Sequence, residues 1–373
     1  MIEYSLKGPG SQERTRIRLM SALRENRFPQ AILIDGPKGI GKKLLAMELM
    51  KALQCTNASL RPCGHCFGCR MAMDSGATDN WIIPLESSEA NAKKASDVSA
   101  NSKAKTVEDI KQQYIDEIQK NPYRIDQFGV SDFIPVDLIR SMTASFAMRN
   151  GGVRVVVIAE ADRMNDVASN SFLKTLEDVP RDTYFILTTS NREKILQTIR
   201  SRCIAVHLMP LADSEVRETC EELGGEEFDL ETLTDDVIGI AEGSPGRAIY
   251  YAQNVNQWGE IAVDFIRKSL AQDYTGLYLQ LKKSSLDDPD EARCFLEIMS
   301  FLIADMIRAQ AGANLRMCQI LSQSGLLDLS LDATALELAL IDVQETISRI
   351  ESRKMPSLMC LFNLSLKLFE GCR

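Results

Sequence analysis

The sequence has no run of about 18 apolar residues, so nothing in it reads as a helix across a bilayer. Its opening, Met1-Ile2-Glu3-Tyr4-Ser5-Leu6-Lys7, lacks the basic and apolar blocks of a secretory signal, and a cytoplasmic location is expected. Positive charge is also scarce. Lys and Arg number 43 against 52 Asp and Glu, a formal net charge of -9. Nucleic acid is held by Lys and Arg neutralising phosphate, so a protein that wraps it by bulk attraction is excluded. A local patch is not, because Arg14, Arg16, Arg18, Arg24 and Arg27 crowd near the N-terminus, spaced as on a solvated helix face.

Two absences matter more, because each removes a metal ligand from one site. Gly36-Pro37-Lys38-Gly39-Ile40-Gly41-Lys42-Lys43 follows the phosphate-loop pattern G-x-x-x-x-G-K-[ST] up to its last position. The hydroxyl that would hold magnesium is replaced by Lys43, which cannot ligate a cation. The apolar strand Val153-Arg154-Val155-Val156-Val157-Ile158 would deliver an Asp to the same metal; it delivers Ala159, then Glu160. Gly36, Gly39 and Gly41 still let backbone approach an anion at a helix N-terminus, and Lys42 keeps its charge. ATP or ADP binding is therefore left open against an empty structural loop. Without magnesium, even a water polarised by Glu160 meets phosphates whose developing charge has lost its main stabiliser.

The 373 residues suffice for two or three domains, and 45% hydrophobic with 25% charged residues suits a soluble globular protein. The first half alternates strands and helices, the signature of a parallel sheet flanked by helices. Ala31–Asp35, Val153–Ile158, Tyr184–Thr189 and Ile204–Leu208 read as strands. Leu44–Leu53 and Met164–Leu176 read as helices, and Lys194–Arg200 as helix-like. From 212 to 253 the pattern becomes helical, with Ser214 expected to cap a helix that Gly224-Gly225 ends. After 254 the strand signal vanishes, and long amphipathic patterns predict an all-α domain. The stretch 86–105 is Ser/Ala/Lys/Asn-rich and is expected to be disordered. Thr106-Val107-Glu108-Asp109 then caps a helix with Val107, Ile110, Tyr114 and Ile118 on one face. Residues 86–132 are read as an insertion whose role is not legible.

Cys55, Cys63, Cys66 and Cys69 form C-x7-C-x2-C-x2-C. Four soft ligands with two tight steps suit a closed, tetrahedral, structural zinc. A redox dithiol needs only two cysteines, and His65 is not needed where four thiols suffice. Ser201-Arg202-Cys203 follows Thr188-Thr189-Ser190-Asn191. An arginine projected from such a loop can reach a neighbour's γ-phosphate, although an Arg between Ser and Cys is more often a plain surface residue.

Together these motifs resemble the delta-prime subunits of the bacterial DNA polymerase III sliding-clamp loader, a family of AAA+ proteins. The similarity runs through Gly10-Ser11-Gln12, Phe28-Pro29-Gln30-Ala31, the phosphate loop and the four-Cys module. It continues through Glu160–Asn165, Ser171–Glu177, Asn191 in the first sensor, Thr198–Cys203 and Gly246-Arg247-Ala248 in the second sensor. It implies a RecA-like α/β AAA+ domain over 1–210 with an inserted zinc module at 55–69. A helical lid over 211–253 and a helical collar over 254–373 would follow. It implies that Arg202, flanked by Ser201 and Cys203, is an arginine finger acting in trans on a neighbouring ATPase. Partners would be the gamma/tau and delta subunits, the sliding clamp, and primed DNA through the complex. Lys43 and Ala159 select this non-hydrolysing reading over an active gamma/tau-like motor subunit and disfavour magnesium. As part of the polymerase III holoenzyme the chain would have no ATPase or polymerase activity of its own.

Overall fold

The computed structural model describes residues 3–73, 80–85, 106–125, 132–146, 152–224, 228–329, 331–351 and 355–369. The low-complexity stretch 86–105 lies outside them. Two compact units divide the chain: 1–215 with 244–246, and 216–243 with 247–373.

In the first unit the apolar runs become parallel strands. Seven strands are described: β1 (Glu3–Tyr4), β2 (Ala31–Asp35), β3 (Leu60–Arg61), β4 (Trp81–Ile82), β5 (Arg154–Ile158), β6 (Thr183–Thr189) and β7 (Ile204–His207). Five form one sheet in the order β4-β5-β6-β2-β7. Every pairing in it is parallel, with Ala31 opposite Phe185, Ile32 opposite Ile204 and Trp81 opposite Val157. Strands covered on both faces are continuously apolar, as parallel sheets require; Ile32, Leu33, Ile34, Val155, Val156 and Val157 are all buried. The helix Asp166–Glu177 seals one face by placing Phe172 edge-on to Phe185, ring centroids 5.2 Å apart. The remaining two strands, β1 and β3, pair with each other.

Three local expectations changed on folding. Ser214 lies inside the helix Asp213–Leu223, so it does not cap it. The expected helix Lys194–Arg200 is split into a 3-10 turn, Arg192–Lys194, and a short helix, Gln197–Arg200. Between them Ile195 is extended and buries its side chain. The helix after β5 starts at Asp166 because Asn165 caps it, accepting from the Ala168 amide.

The chain leaves the sheet at Leu85 and returns at Phe133, and these two residues exchange backbone hydrogen bonds of 3.0 and 3.2 Å. Between them stands the helix Val107–Lys120, with a reciprocal capping box between Thr106 and Asp109. Its buried face carries Tyr114, edge-on to Trp81 at 6.0 Å.

In the second unit the described elements are helical. Pro289–Gln310 packs along Ala333–Glu351. Trp258, Phe265 and Phe295 are fully buried, and Trp258 donates to Glu291 at 3.0 Å. Buried carboxylates organise the loops: Asp305 accepts from the amides of Arg316 and Met317, and Asp236 from those of Gln319 and Ile320.

Candidate functional site

β2 ends at Asp35, and the phosphate loop follows directly into the helix Lys42–Gln54. Gly39 and Gly41 have φ of 73° and 100°, a conformation that side chains disfavour. The strand-loop-helix context required of the motif is thus present. Lys42 points back into the loop. Its ammonium donates to the carbonyls of Gly36 (2.9 Å) and Pro37 (2.7 Å) and to Ser190 Oγ (2.8 Å).

Lys43 turns the other way and donates to the Arg124 carbonyl at 2.7 Å, with the Tyr114 ring 5.7 Å away. Both lysines are buried. Pro122, Tyr123, Arg124 and Ile125 line the cleft together with Gly39, Gly41, Lys42, Lys43 and Glu160. A cavity of about 20 Å³ remains, room for about one water.

The strand ends behave as the altered motif requires. Ala159 is buried and offers no ligand. Glu160 adopts a left-handed conformation, φ 47°, and its amide donates to Thr188 Oγ1 at 3.2 Å. Thr189 donates to Asp162 at 2.6 Å and accepts from the Asn191 amide at 2.9 Å. Asn191 itself is exposed. At the other edge of β2, Asp35 and His207 Nδ1 lie 2.8 Å apart. Gly36, Gly39, Gly41, Lys42, Lys43 and Glu160 therefore come together.

Arg247 belongs to the second unit. Its guanidinium donates to Glu242 (2.6 Å) and the Tyr251 hydroxyl (3.2 Å). Burial opposes its charge, yet Tyr251 and Glu242 outweigh burial and raise its pKa.

Ser201-Arg202-Cys203 turns the chain from the helix Gln197–Arg200 into β7. Ser201 Oγ donates to the Thr198 carbonyl at 3.0 Å, and Cys203 is buried, its pKa pushed up to about 11 by burial. Arg202 is exposed, at 39% of its side chain. It donates to the Thr198 carbonyl (3.1 Å) and to Glu177 (3.0 Å), the last residue of the helix Asp166–Glu177.

The four cysteines also converge. The sulfurs of Cys55, Cys63, Cys66 and Cys69 all lie within 4.8 Å of one another. A tetrahedral metal with bonds of about 2.3 Å to sulfur needs sulfur-sulfur edges of about 3.8 Å, and Cys66 and Cys55 are 3.7 Å apart. The amides of Cys66 and Cys69 point at the preceding cysteine sulfurs at 3.4 Å, as suits thiolates. All four are free thiols. Cys55 and Cys69 are buried, and Gly68 packs so closely on the end of the helix Lys42–Gln54 that a Cβ would lie 1.9 Å from the Gln54 carbonyl. His65 is exposed, with Nδ1 2.8 Å from the Cys63 carbonyl, outside the sulfur cluster. The donor set fits a structural metal held by sulfur alone.

The sequence reading missed Tyr123 and Arg124, and it held Arg163, Ser190 and Glu177 only as members of the family motifs, with no role of their own. The available signal was Asn121-Pro122, a turn-forming dipeptide; it predicts a bend but not what the bend covers.

The sequence matches the family model described as DNA polymerase III, delta subunit, over residues 11–212. It is similar to DNA polymerase III subunit delta' of Escherichia coli, 26% identical over 247 residues, covering 64% of this chain and 59% of that protein. It is also similar to DNA polymerase III subunit tau of Escherichia coli, 28% identical over 217 residues, covering 58% of this chain and 27% of that protein. Among solved structures, a DNA polymerase III gamma subunit-related protein of Thermotoga maritima covers 95% of this chain and 99% of its own, at 14% identity and a TM-score of 0.46. The chain thus spans less than two thirds of these two sequence relatives. With more than half of its residues inside the family model, the chain belongs to the DNA polymerase III delta subunit family.

Proposed function

We propose that the chain is a non-hydrolysing, delta-prime-type subunit of a sliding-clamp loader, supplying Arg202 to the ATP site of an adjacent motor subunit. The reading rests on one contrast. The chain's own phosphate loop lacks both magnesium ligands, with Lys43 and Ala159 in their places, while Arg202 is presented to solvent just before β7, at the opposite end of the sheet from that loop. Glu177 and the Thr198 carbonyl fix the arginine's direction without burying it. Ser201 and Cys203 form the turn that carries it.

Within this reading the partners are gamma/tau and delta subunits, then the clamp and primed DNA, in the cytoplasm. Residues 211–253 act as the lid, with Arg247 as its sensor, and 254–373 as the collar. Leu338, Ile341 and Met359 are exposed on the collar helices and supply apolar surface for packing between subunits. The four cysteines hold one structural zinc.

The test is a reconstituted loader with clamp and primed DNA, comparing wild type with Arg202→Ala. Arginine fingers contribute about 10³–10⁵ in rate, so a loss of that order with intact assembly is expected. An unchanged rate removes the trans-acting role. The similarity to tau favours a second reading, an active motor subunit. It predicts magnesium-dependent hydrolysis that survives when every other subunit's site is disabled; the proposed reading predicts none.

A further inference from the structure

The insertion was the one part of the first unit without a role, and its described half lies on the phosphate loop. The helix Val107–Lys120 is held down by Tyr114 against Trp81 and ends in the turn Asn121-Pro122-Tyr123-Arg124. Asn121 shapes that turn, its side chain accepting from the Tyr123 amide at 3.0 Å and its carbonyl from the Arg124 amide at 3.2 Å. Asn121 and Tyr123 are both buried. Arg124 is tied back to Glu117 at 2.8 Å, so the turn is braced by its own helix.

Tyr123 covers the loop from above. A Cβ added to Gly41 would meet its ring at 2.9 Å, so ring and loop backbone are in direct contact. The Tyr123 carbonyl lies over Gly246, where a Cβ would stand 1.9 Å away, and the Gly246 amide donates to the Gly39 carbonyl at 3.1 Å. Lys43 closes the arrangement. A cation at this position needs an acceptor, and it takes the Arg124 carbonyl. Lys42, which would bind phosphate, is satisfied by its own loop and Ser190.

We infer that the turn 121–124 is the resident occupant of the phosphate loop, a plug built into the chain that excludes nucleoside di- and triphosphates. The residue that replaces the magnesium-binding hydroxyl, Lys43, is the plug's anchor. Loss of the magnesium-binding hydroxyl and closure of the site are then one substitution seen from two sides. A tethered segment competes at a high effective concentration, and the space for about one water left beside it does not admit a phosphate chain. The first unit accordingly holds one state whether or not nucleotide is present. None of this depends on the ring the chain joins, so its failure and the failure of the clamp-loader reading are separate events.

The experiment uses the full chain. Wild type is titrated with a fluorescent ADP analogue, with no displaceable binding expected at millimolar concentration; displaceable binding in the micromolar range overturns the plug. Acetylation of amines, read by mass spectrometry, follows Lys42 and Lys43. In wild type both react slowly, and in Tyr123→Ala both react at least about tenfold faster as the covered loop opens. Equal rates in the two proteins refute the proposal. If Tyr123→Ala does not fold, a photoreactive benzoyl-phenylalanine at position 123 decides. Crosslinking to the peptide containing Gly41 supports the plug, and its absence refutes it.

Discussion

A zinc ion entering the four-cysteine site must displace protons, and Cys55 and Cys69 supply at least two of them. Burial pushes the Cys69 thiol up to about 12 and raises Cys55 above its ordinary value. Cys66 moves the other way. Burial opposes its ionisation, but hydrogen bonds from the amides of Cys69 and Thr56 outweigh that and lower it to about 5. Cys63 is lowered chiefly by the His65 amide. Between pH 6 and 8, in the metal-free chain, Cys66 is a thiolate while Cys55 and Cys69 keep their protons. Zinc takes thiolates, so those protons leave on binding.

The sign follows. A site that sheds at least two protons gains affinity as pH rises and loses it as pH falls. The change is about tenfold per proton, or at least about 100-fold per pH unit. To the extent that the metal binds the folded module alone, metal-linked stability changes by at least about 2.7 kcal/mol per pH unit in that window. Calorimetric titration of the metal-free chain in buffers of different ionisation enthalpy counts the protons, and a competing chelator at two pH values measures the slope. Proton release well below one, or an affinity flat with pH, refutes the assignment of Cys55 and Cys69 as protonated ligands.

Three further outcomes are expected. Phe172→Ala empties the fully buried contact with Phe185 and should cost about 3–5 kcal/mol, read by denaturant unfolding; a loss under about 1 kcal/mol would mean that the helix Asp166–Glu177 does not seal the sheet there. Asp305→Ala leaves Arg308 and the amides of Arg316 and Met317 without their buried acceptor, and about 3–5 kcal/mol should be lost, with hydrogen exchange rising first at residues 316–318. Glu177→Gln keeps an oxygen for Arg202 but removes the charge. For so exposed a pair the ring's ATPase should change by no more than about fivefold, and a loss as large as that of Arg202→Ala would make Glu177 part of the chemistry.

What the sequence disclosed, and what it withheld, divides along contact range. β2, β5, β6 and β7 were legible because each is an apolar run long enough to carry its own signal, bounded by a glycine, proline or polar turn. Trp81–Ile82 was not, because two residues have no periodicity; only the partnership with Val157 and Ile158 makes them a strand. Thr106–Asp109 was legible as a cap because a capping box is closed within four residues. Ser214 misled because Asp213 already lies within the helix, moving the start upstream. The cysteines were legible from spacing, yet their fitness for metal depends on Cys55 meeting Cys66 across eleven residues.

Lys43 is the sharpest case of the same division. Read locally it is a loss, a hydroxyl missing from a motif whose chemistry needs one. Its gain depends on Arg124, eighty-one residues away, and on Tyr114 between them. A motif records only the partners that its own chemistry requires, so a replacement partner from an insertion is invisible to it. Were Lys43 merely a defect, a buried ammonium beside an empty cleft would carry a desolvation cost with nothing to offset it, and replacing it by Thr should stabilise the chain. With the Arg124 carbonyl as its acceptor, Lys43→Thr instead removes the bond that ties the turn to the loop. The chain should then lose about 1–3 kcal/mol, and the sign of that change separates a decayed motif from a re-used one.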